Sequence, residues 1–320
     1  MFAPTTRPWL LLALAALTVA GCDIKKTGEF GNLKFEYTAD DRLIPPTFNR
    51  PIATGTRVEV KVTDAKTNRT VEVLGATSED PSILTSPQRD GEKLTLSGER
   101  EGQARITVTT TERITDAITV EVEDIDEVVL QNPGPLLTPV QGVPAVVEGA
   151  DIAFPMTLKG AGGRVLIGYG SIPVEVEPAS AAAQVSTDDV AHVTFRFSEL
   201  GSVMLRPLNS TALPVDVISG EDVAGITLTP VSSASPNDIR LNSVGYFAVK
   251  GSTSDSAAVV GLADVADITS ETISICTVES VAALGDGAFL IHPLAVGECT
   301  VKATYRDLSA TLSFQVIEGS

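Results

Sequence analysis

Enzyme chemistry needs a nucleophile, a base or a metal ligand in suitable company, and this 320-residue chain holds few of them: two histidines (His192, His292), three cysteines (Cys22, Cys276, Cys299) and one tryptophan, Trp9. There is no Gly-x-Ser-x-Gly and no His-Glu-x-x-His; Gly168-Tyr-Gly170-Ser171 comes nearest to a nucleophile elbow and does not fit it. Both histidines precede or fall within expected strands, where an ordinary hydrogen-bonded role is the expectation. The adjacent acids Asp40-Asp41 and Asp188-Asp189 would point to opposite faces of a strand and read as solvated turns rather than as an acid–base pair. No catalytic residue, no enzyme activity and no cofactor are expected.

Binding chemistry is weighed the same way. Glu121, Glu123, Asp124, Asp126 and Glu127 gather where one domain gives way to the next, and hard oxygen ligands at a hinge suit calcium. The competing reading is a solvated strand end followed by a self-repelling linker. No complete calcium motif is present, so no metal site is expected, with Glu123, Asp124 and Asp126 as the calcium candidates. Sugar recognition uses exposed aromatic platforms, and beyond Trp9 only Tyr37, Tyr169, Tyr246 and Tyr305 offer a polar-tipped ring, with Tyr305 expected in the core. Forty-one acidic residues against 23 basic ones give a net charge of −18, which repels phosphate backbones and excludes nucleic acid as a partner.

The N-terminus addresses the compartment. Arg7 is the one charge before twelve residues, Trp9 to Ala20, interrupted only by Thr18, and the run exits through Val19-Ala20-Gly21 to Cys22. That is the layout of a secretory signal peptide, too short for a bilayer span of about 20 residues. Leu17 and the small residues before Cys22 resemble the lipobox of bacterial lipoproteins. The resemblance implies cleavage before Cys22 and a diacylglycerol on its thiol, and several acyl chains on one residue make a stable membrane anchor. The expected location is the bacterial cell envelope, lipid-anchored to the outer membrane on its periplasmic or surface face. Asp23 resembles the signal that retains some enterobacterial lipoproteins in the inner membrane, which stays the alternative.

What positions these residues is a repeat. Gly102, Gly201 and Gly297 each follow an acidic turn and precede an alternating apolar strand, at spacings of 99 and 96 residues, with Asp90, Asp189 and Asp286 standing 12, 12 and 11 residues upstream. Each repeat closes on a period-two strand: Ile118 to Val122, Pro214 to Val217, Leu312 to Val316. Further strands alternate likewise at Val58 to Val62, Ile152 to Leu158, Val193 to Phe197 and Cys299 to Tyr305, and Pro155 inside one of them suggests an edge or a bulge. Short strands, frequent Gly and Pro breaks and no 3.6-residue apolar period predict antiparallel sandwiches. The organisation is a signal peptide over 1–21, a lipidated linker over 22–29, and sandwiches over 30–124, 125–219 and 220–320.

At Ser82-Ile83-Leu84-Thr85, Asp90-Gly91 and Gly102 to Val108, and again at Ser274-Ile275-Cys276-Thr277, Asp286-Gly287 and Gly297 to Val301, the chain resembles bacterial immunoglobulin-like (Big) domains. The second repeat lacks the Ser-Ile-x-Thr stretch and has Asp188-Asp189 in place of Asp-Gly. The resemblance implies an all-β fold of three tandem immunoglobulin-like sandwiches and specifies no activity.

With Cys22 committed to lipid, Cys276 and Cys299 are an even pair in an exported chain, and a disulfide is the expectation over a metal or redox pair, for which no Cys-x-x-Cys spacing exists. The repeat places Leu84 and Ala104 at the equivalent positions of the first sandwich, both apolar and both expected to face the core. The functional expectation is a non-catalytic envelope lipoprotein presenting immunoglobulin-like domains for surface adhesion or protein–protein interaction, with a periplasmic scaffold or accessory subunit as the alternative. Its expected partners are the membrane, through the anchor, and a protein or surface glycan. The divergent second repeat and its junctions, with Gly160-Ala-Gly162-Gly163 and the apolar or small-residue stretches Pro133 to Val147 and Ala179 to Ala183, are the candidate contact surface, the competing reading being neutral drift in a spacer domain.

Overall fold

A strand whose every second side chain is apolar can bury one face and wet the other, and this chain repeats that solution. The computed structural model describes residues 25–38, 47–91, 93–135, 139–185, 187, 189–231, 237–281 and 285–319. Cys22 and the leader before it, with Asp23, Asp40, Asp41 and Asp188, lie outside the described residues. Three sets of nine strands follow one another. The first is β1 (Lys26–Thr27), β2 (Leu33–Thr38), β3 (Ile52–Ala53), β4 (Thr56–Asp64), β5 (Val73–Ser78), β6 (Leu84–Asp90), β7 (Lys93–Gly98), β8 (Gly102–Thr110) and β9 (Thr115–Glu123). The second is β10 (Glu127–Leu130), β11 (Ala145–Val147), β12 (Asp151–Lys159), β13 (Tyr169–Gly170), β14 (Val174–Glu177), β15 (Ala182–Val185), β16 (His192–Phe197), β17 (Gly201–Pro207) and β18 (Leu213–Ile218). The third is β19 (Val223–Pro230), β20 (Asp238–Arg240), β21 (Gly245–Thr253), β22 (Ala258–Val260), β23 (Asp267–Ser270), β24 (Cys276–Ser280), β25 (Ala288–Pro293), β26 (Gly297–Tyr305) and β27 (Leu308–Ile317).

Each set makes a two-sheet sandwich of one topology. The orders β2-β4-β7-β6, β10-β12-β16-β15 and β19-β21-β25-β24 form one layer, and β3-β9-β8-β5, β11-β18-β17-β14 and β20-β27-β26-β23 form the other. Pairing within the sandwiches is antiparallel except that a short early strand runs parallel to the last one: β3 with β9, β11 with β18, β20 with β27. This strand order is immunoglobulin-like. Gly102, Gly201 and Gly297 open β8, β17 and β26 with φ of +147°, +114° and +148°, which explains why the repeat is marked by glycine.

The alternation is borne out side chain by side chain. Val58, Val60 and Val62 of β4 are buried while Arg57, Glu59 and Lys61 face outward, and Ile152, Phe154, Met156 and Leu158 do the same in β12. Pro155 is not on an edge strand, since β12 lies between β10 and β16; it lies just beyond the last β10 pair at Met156, and its carbonyl still accepts the Gln131 N–H at 2.9 Å while the ring leaves no donor of its own. The first sandwich has its own apolar cluster, in which Tyr37 stacks on Phe48 with ring centroids 4.4 Å apart. The second and third share a continuous one, holding Phe154, Phe195 and Phe197 from one and Phe247, Phe289 and Phe314 from the other.

Cys276 on β24 and Cys299 on β26 are bonded, with sulfurs 2.05 Å and Cα atoms 5.7 Å apart, which ties the two layers of the third sandwich together inside its core. Leu84 and Ala104 are buried at the matching places in the first. Tyr305, expected in the core, is half-buried at its rim, whereas Tyr37 is fully buried and donates its hydroxyl to the Arg50 carbonyl. The segment leading into β2 is pinned by the buried Asp116. Its carboxylate accepts the backbone N–H groups of Phe30, Asn32, Leu33 and Ala117 at 2.8–2.9 Å. Gly28 lies so close that a Cβ there would fall 2.3 Å from Asp116 Cγ. Among the described residues no helix is long and apolar enough to cross a membrane.

Candidate functional site

The residues singled out in the second repeat converge on the two joints. At the first joint Ile167, from the connection after β12, lies parallel beside Ile52 of β3: Ala53 N–H donates to Ile167 O and Ile167 N–H to Pro51 O, each at 2.9 Å. β13 then adds antiparallel to the start of β4, pairing Tyr169 with Arg57 and Gly170 with Thr56. Gly168 is required by the close approach, because a Cβ there would fall 1.8 Å from Thr56 Oγ1. Ile167 and Val190 of the second sandwich are buried in the apolar cluster of the first. Sequence periodicity could not show this, since two or three residues carry no period.

Glu121, Glu123 and Asp124 at this joint have protein partners. Arg164 Nη1 and Nη2 reach the two oxygens of Glu121 at 2.7 and 2.5 Å, and Nη1 lies 3.3 Å from Glu123 Oε2. These hydrogen bonds, with the guanidinium charge, hold the Glu121 carboxyl below the usual carboxylate range. Asp124 accepts from Thr54 Oγ1 at 2.7 Å, and the Asp126 carbonyl accepts from Asn209 Nδ2. The Glu123 and Asp124 side chains thus have separate partners, Arg164 and Thr54, and among the described residues no three His, Cys, Asp or Glu side chains come together as a metal set. A Cβ on Gly160, in the glycine-rich turn, would fall 2.0 Å from Glu123 Oε1, so that turn is part of the joint.

The second joint is closer still. β22 of the third sandwich pairs antiparallel with β21 and parallel with β11, matching Ala145 with Val259 and Val146 with Val260, so one nine-stranded sheet crosses from the second sandwich into the third. Gly261 packs against Ile152 and Ala150, whose atoms a Cβ would meet at 2.2 and 3.0 Å. Asp264 Oδ2 accepts the Asp151 N–H, and the Asp151 carboxylate is held by Arg196 at 2.5 and 2.7 Å.

Beside this joint lies a cleft of about 360 Å³ between Pro135, Pro139, Val140 and Gln141 on one side and Ala248 to Gly251 with Ala258 to Val260 on the other. Its one acid is Asp286, which accepts the Gly261 N–H at 2.9 Å. Desolvation pushes its carboxyl up to about 6; the Gly261 hydrogen bond opposes that rise and the Asp264 charge adds to it. A mostly apolar lining with the Asp286 carboxyl and Lys250 suits packing of a neutral side chain or a donor group.

The histidines have structural company. His192 Nδ1 lies 2.6 Å from Asp189 Oδ2 in a buried pair near Val190, at the wall of the first joint. His292 Nε2 lies 2.9 Å from Glu279 Oε2 on the exposed face of β25 and β24. Of the three stretches expected as contact surface, the glycine turn and Ala145 to Val147 form joints, and Ala181 and Ala182 enter the core. Ala145 to Val147 and Ala181–Ala182 are covered by a neighbouring sandwich or by their own core, whereas Ala161 to Gly163, Ala179, Ala183 and Val143 stay exposed. Among the described residues of the Pro133 to Val147 stretch, Pro135 and Pro139 to Gln141 line an open cleft.

No family model and no curated protein matches the chain. Among solved structures it is similar to domains 4–9 of the surface layer protein SbsC, at 16% identity over 90% of this chain and 48% of that one, with a TM-score of 0.31. It is similar to the Escherichia coli adhesin FdeC, at 13% identity over 84% of this chain and 94% of that one, TM-score 0.25. Invasin, a bacterial integrin-binding protein, aligns at 12% identity over 89% of this chain and 60% of that one, TM-score 0.24. The chain spans about half the length of the SbsC structure it matches, and these likenesses bear on the fold alone.

Proposed function

We propose that this chain is a non-catalytic cell-envelope lipoprotein, anchored through acylated Cys22, whose three immunoglobulin-like sandwiches form a stiff stalk for surface adhesion or protein–protein interaction. The observation that carries the reading is the construction of the joints. Tandem domains on flexible linkers move independently by default, whereas here each joint is closed by backbone hydrogen bonds and shared apolar packing. Such a stalk keeps its far end at a set place relative to its anchor, which serves presentation and has no use in catalysis. The small residues before Cys22 and the short apolar run supply the anchor.

Cell fractionation tests the anchor: the wild-type protein is expected in the membrane fraction and Cys22→Ser in the soluble fraction. A Cys22→Ser protein that still sediments with membranes would overturn the lipoprotein reading. Protease treatment of intact cells separates the two destinations, because a surface-facing protein is removed and a periplasmic scaffold subunit is spared.

A further inference from the structure

Each sandwich has a leading end, where a preceding neighbour docks, and a trailing end, where the next one does. The three leading ends align through their hydrogen bonds: Val71 N–H donates to Val62 O, Leu166 N–H to Leu158 O, and Val259 pairs with Gly251. The two residues that follow decide what the end can meet. They are Ile167-Gly168 and Val260-Gly261 in the second and third sandwiches, where the β-branched residue lies along β3 or β11 and the glycine admits close approach. In the first sandwich they are Glu72-Val73, with Glu72 exposed and its carbonyl accepting from Thr111 N–H. The array is thus closed at its leading end by a charge, as terminal units of a stacked array must be.

The trailing end of the third sandwich carries no such closure. β20 is the edge strand of its sheet, as β3 is in the first sandwich where the next unit adds. The turn before Gly297 is apolar, Leu294-Ala295-Val296, while the turn before Gly102 is Glu99-Arg100-Glu101. The two turns have one geometry: the N–H groups of Leu294 and Ala295 converge on Ile275 O at 2.7 and 3.2 Å, and those of Glu99 and Arg100 on Ile83 O at 2.8 and 3.3 Å. Ile273 is 72% exposed, Leu294 55% and Val296 49%, and Leu241, Val244 and Ile317 are exposed on the adjoining loop and strand end. Half of the twelve large apolar side chains exposed among the described residues therefore sit at this one end.

We propose that the trailing end of the third sandwich docks the leading end of a further β-sandwich, one that presents an apolar β-branched residue followed by glycine, as at Ile167-Gly168 and Val260-Gly261. The chain's own joints are the template for an extended segment lying along β20; Leu294, Val296 and Ile273 stand where the first joint leaves Glu99, Glu101 and Pro81 exposed, so their cover by apolar side chains is contact beyond that template. A second wild-type copy does not fit, because Glu72 would place a carboxylate where the joint needs an aliphatic side chain. The proposal names the kind of partner for the presenting role proposed above. It rests on the joints and not on the lipid, so its test uses the chain from residue 22 on with Cys22→Ser, and a missing anchor leaves the outcome untouched.

Glu72→Ile/Val73→Gly gives this chain the leading end the partner is proposed to have. Sedimentation velocity is expected to show a wild-type monomer, concentration-dependent end-to-end oligomers of the double variant, and an association at least about tenfold weaker once Leu294→Glu/Val296→Glu is added. If the double variant lacks a cooperative melt, Glu72→Ile alone serves the same comparison with the buried Val73 kept. A folded variant that stays monomeric, or oligomers indifferent to the charges at Leu294 and Val296, would overturn the proposal. Wild-type dimers abolished by those same charges would overturn it as well, by showing that the occupant is a second copy meeting tip to tip.

Discussion

Asp116 and Asp286 put the same side chain to different uses. Asp116 is buried with four backbone donors on its two oxygens, so its charge is stabilised where it lies and the segment from Gly28 to Leu33 is fixed to the start of β9. Asp116→Asn turns an amide donor toward N–H groups that need an acceptor, and the first sandwich is expected to lose about 2–4 kcal/mol in urea unfolding. Asp286 accepts the Gly261 N–H, and burial pushes its carboxyl up to about 6. Because that lies above the ordinary value of 3.8, the folded chain binds this proton more readily than the unfolded one. The stabilisation is full below about 3.8 and is lost as pH rises through about 6. Asp286→Asn keeps an acceptor for Gly261 and buries no charge. It is expected to be more stable than wild type by about 2 kcal/mol at pH 8, with the difference vanishing below pH ~4, as read by paired melts across that range.

Among elements, the joint strands and the disulfide have separable effects. Gly261→Val forces a side chain against Ile152 and Ala150 and requires a branched residue at φ +77°, so it is expected to cost about 2–4 kcal/mol and to split a shared melt of the second and third sandwiches into two. Reducing Cys276–Cys299 frees a loop whose ends are 23 residues apart, expected to cost about 3 kcal/mol in the third sandwich, measured by denaturant unfolding with and without reductant. These elements differ in how far the sequence announced them. β4, β12 and β26 were legible because a buried face imposes period two over nine residues, and the bridge because a repeat puts Leu84 and Ala104 where Cys276 and Cys299 stand. β13 and β22 were not, since two or three residues have no period and β4 and β11, with which they pair across the joints, lie in another sandwich. Apolar Ala145 to Val147 read as a sticky patch for the same reason: alternation says which residues avoid water, never which neighbour covers them. Asp116 gave no signal because an acid clamping four amides looks, in sequence, like any acid at a strand end.

At the scale of the whole molecule, the joints predict a chain that scatters X-rays as one extended body. Gly168→Val, which drives a side chain into Thr56, is expected to broaden the particle's distance distribution while leaving the melting of the first sandwich little changed. The parallel pairs that close each sandwich have a mechanical consequence. β3 and β9, β11 and β18, and β20 and β27 lie side by side and run in the same direction, the first of each pair early in its domain and the second last in it. Tension applied between the two ends of a sandwich therefore slides one strand along the other, loading all their slanted hydrogen bonds at once instead of opening them one after another as in a zipper. A membrane-tethered stalk pulled from its far tip would meet this shear resistance in every domain in series. The domain with the shortest parallel pair, Ile52–Ala53 against Val122–Glu123, would set the force at which the stalk first lengthens.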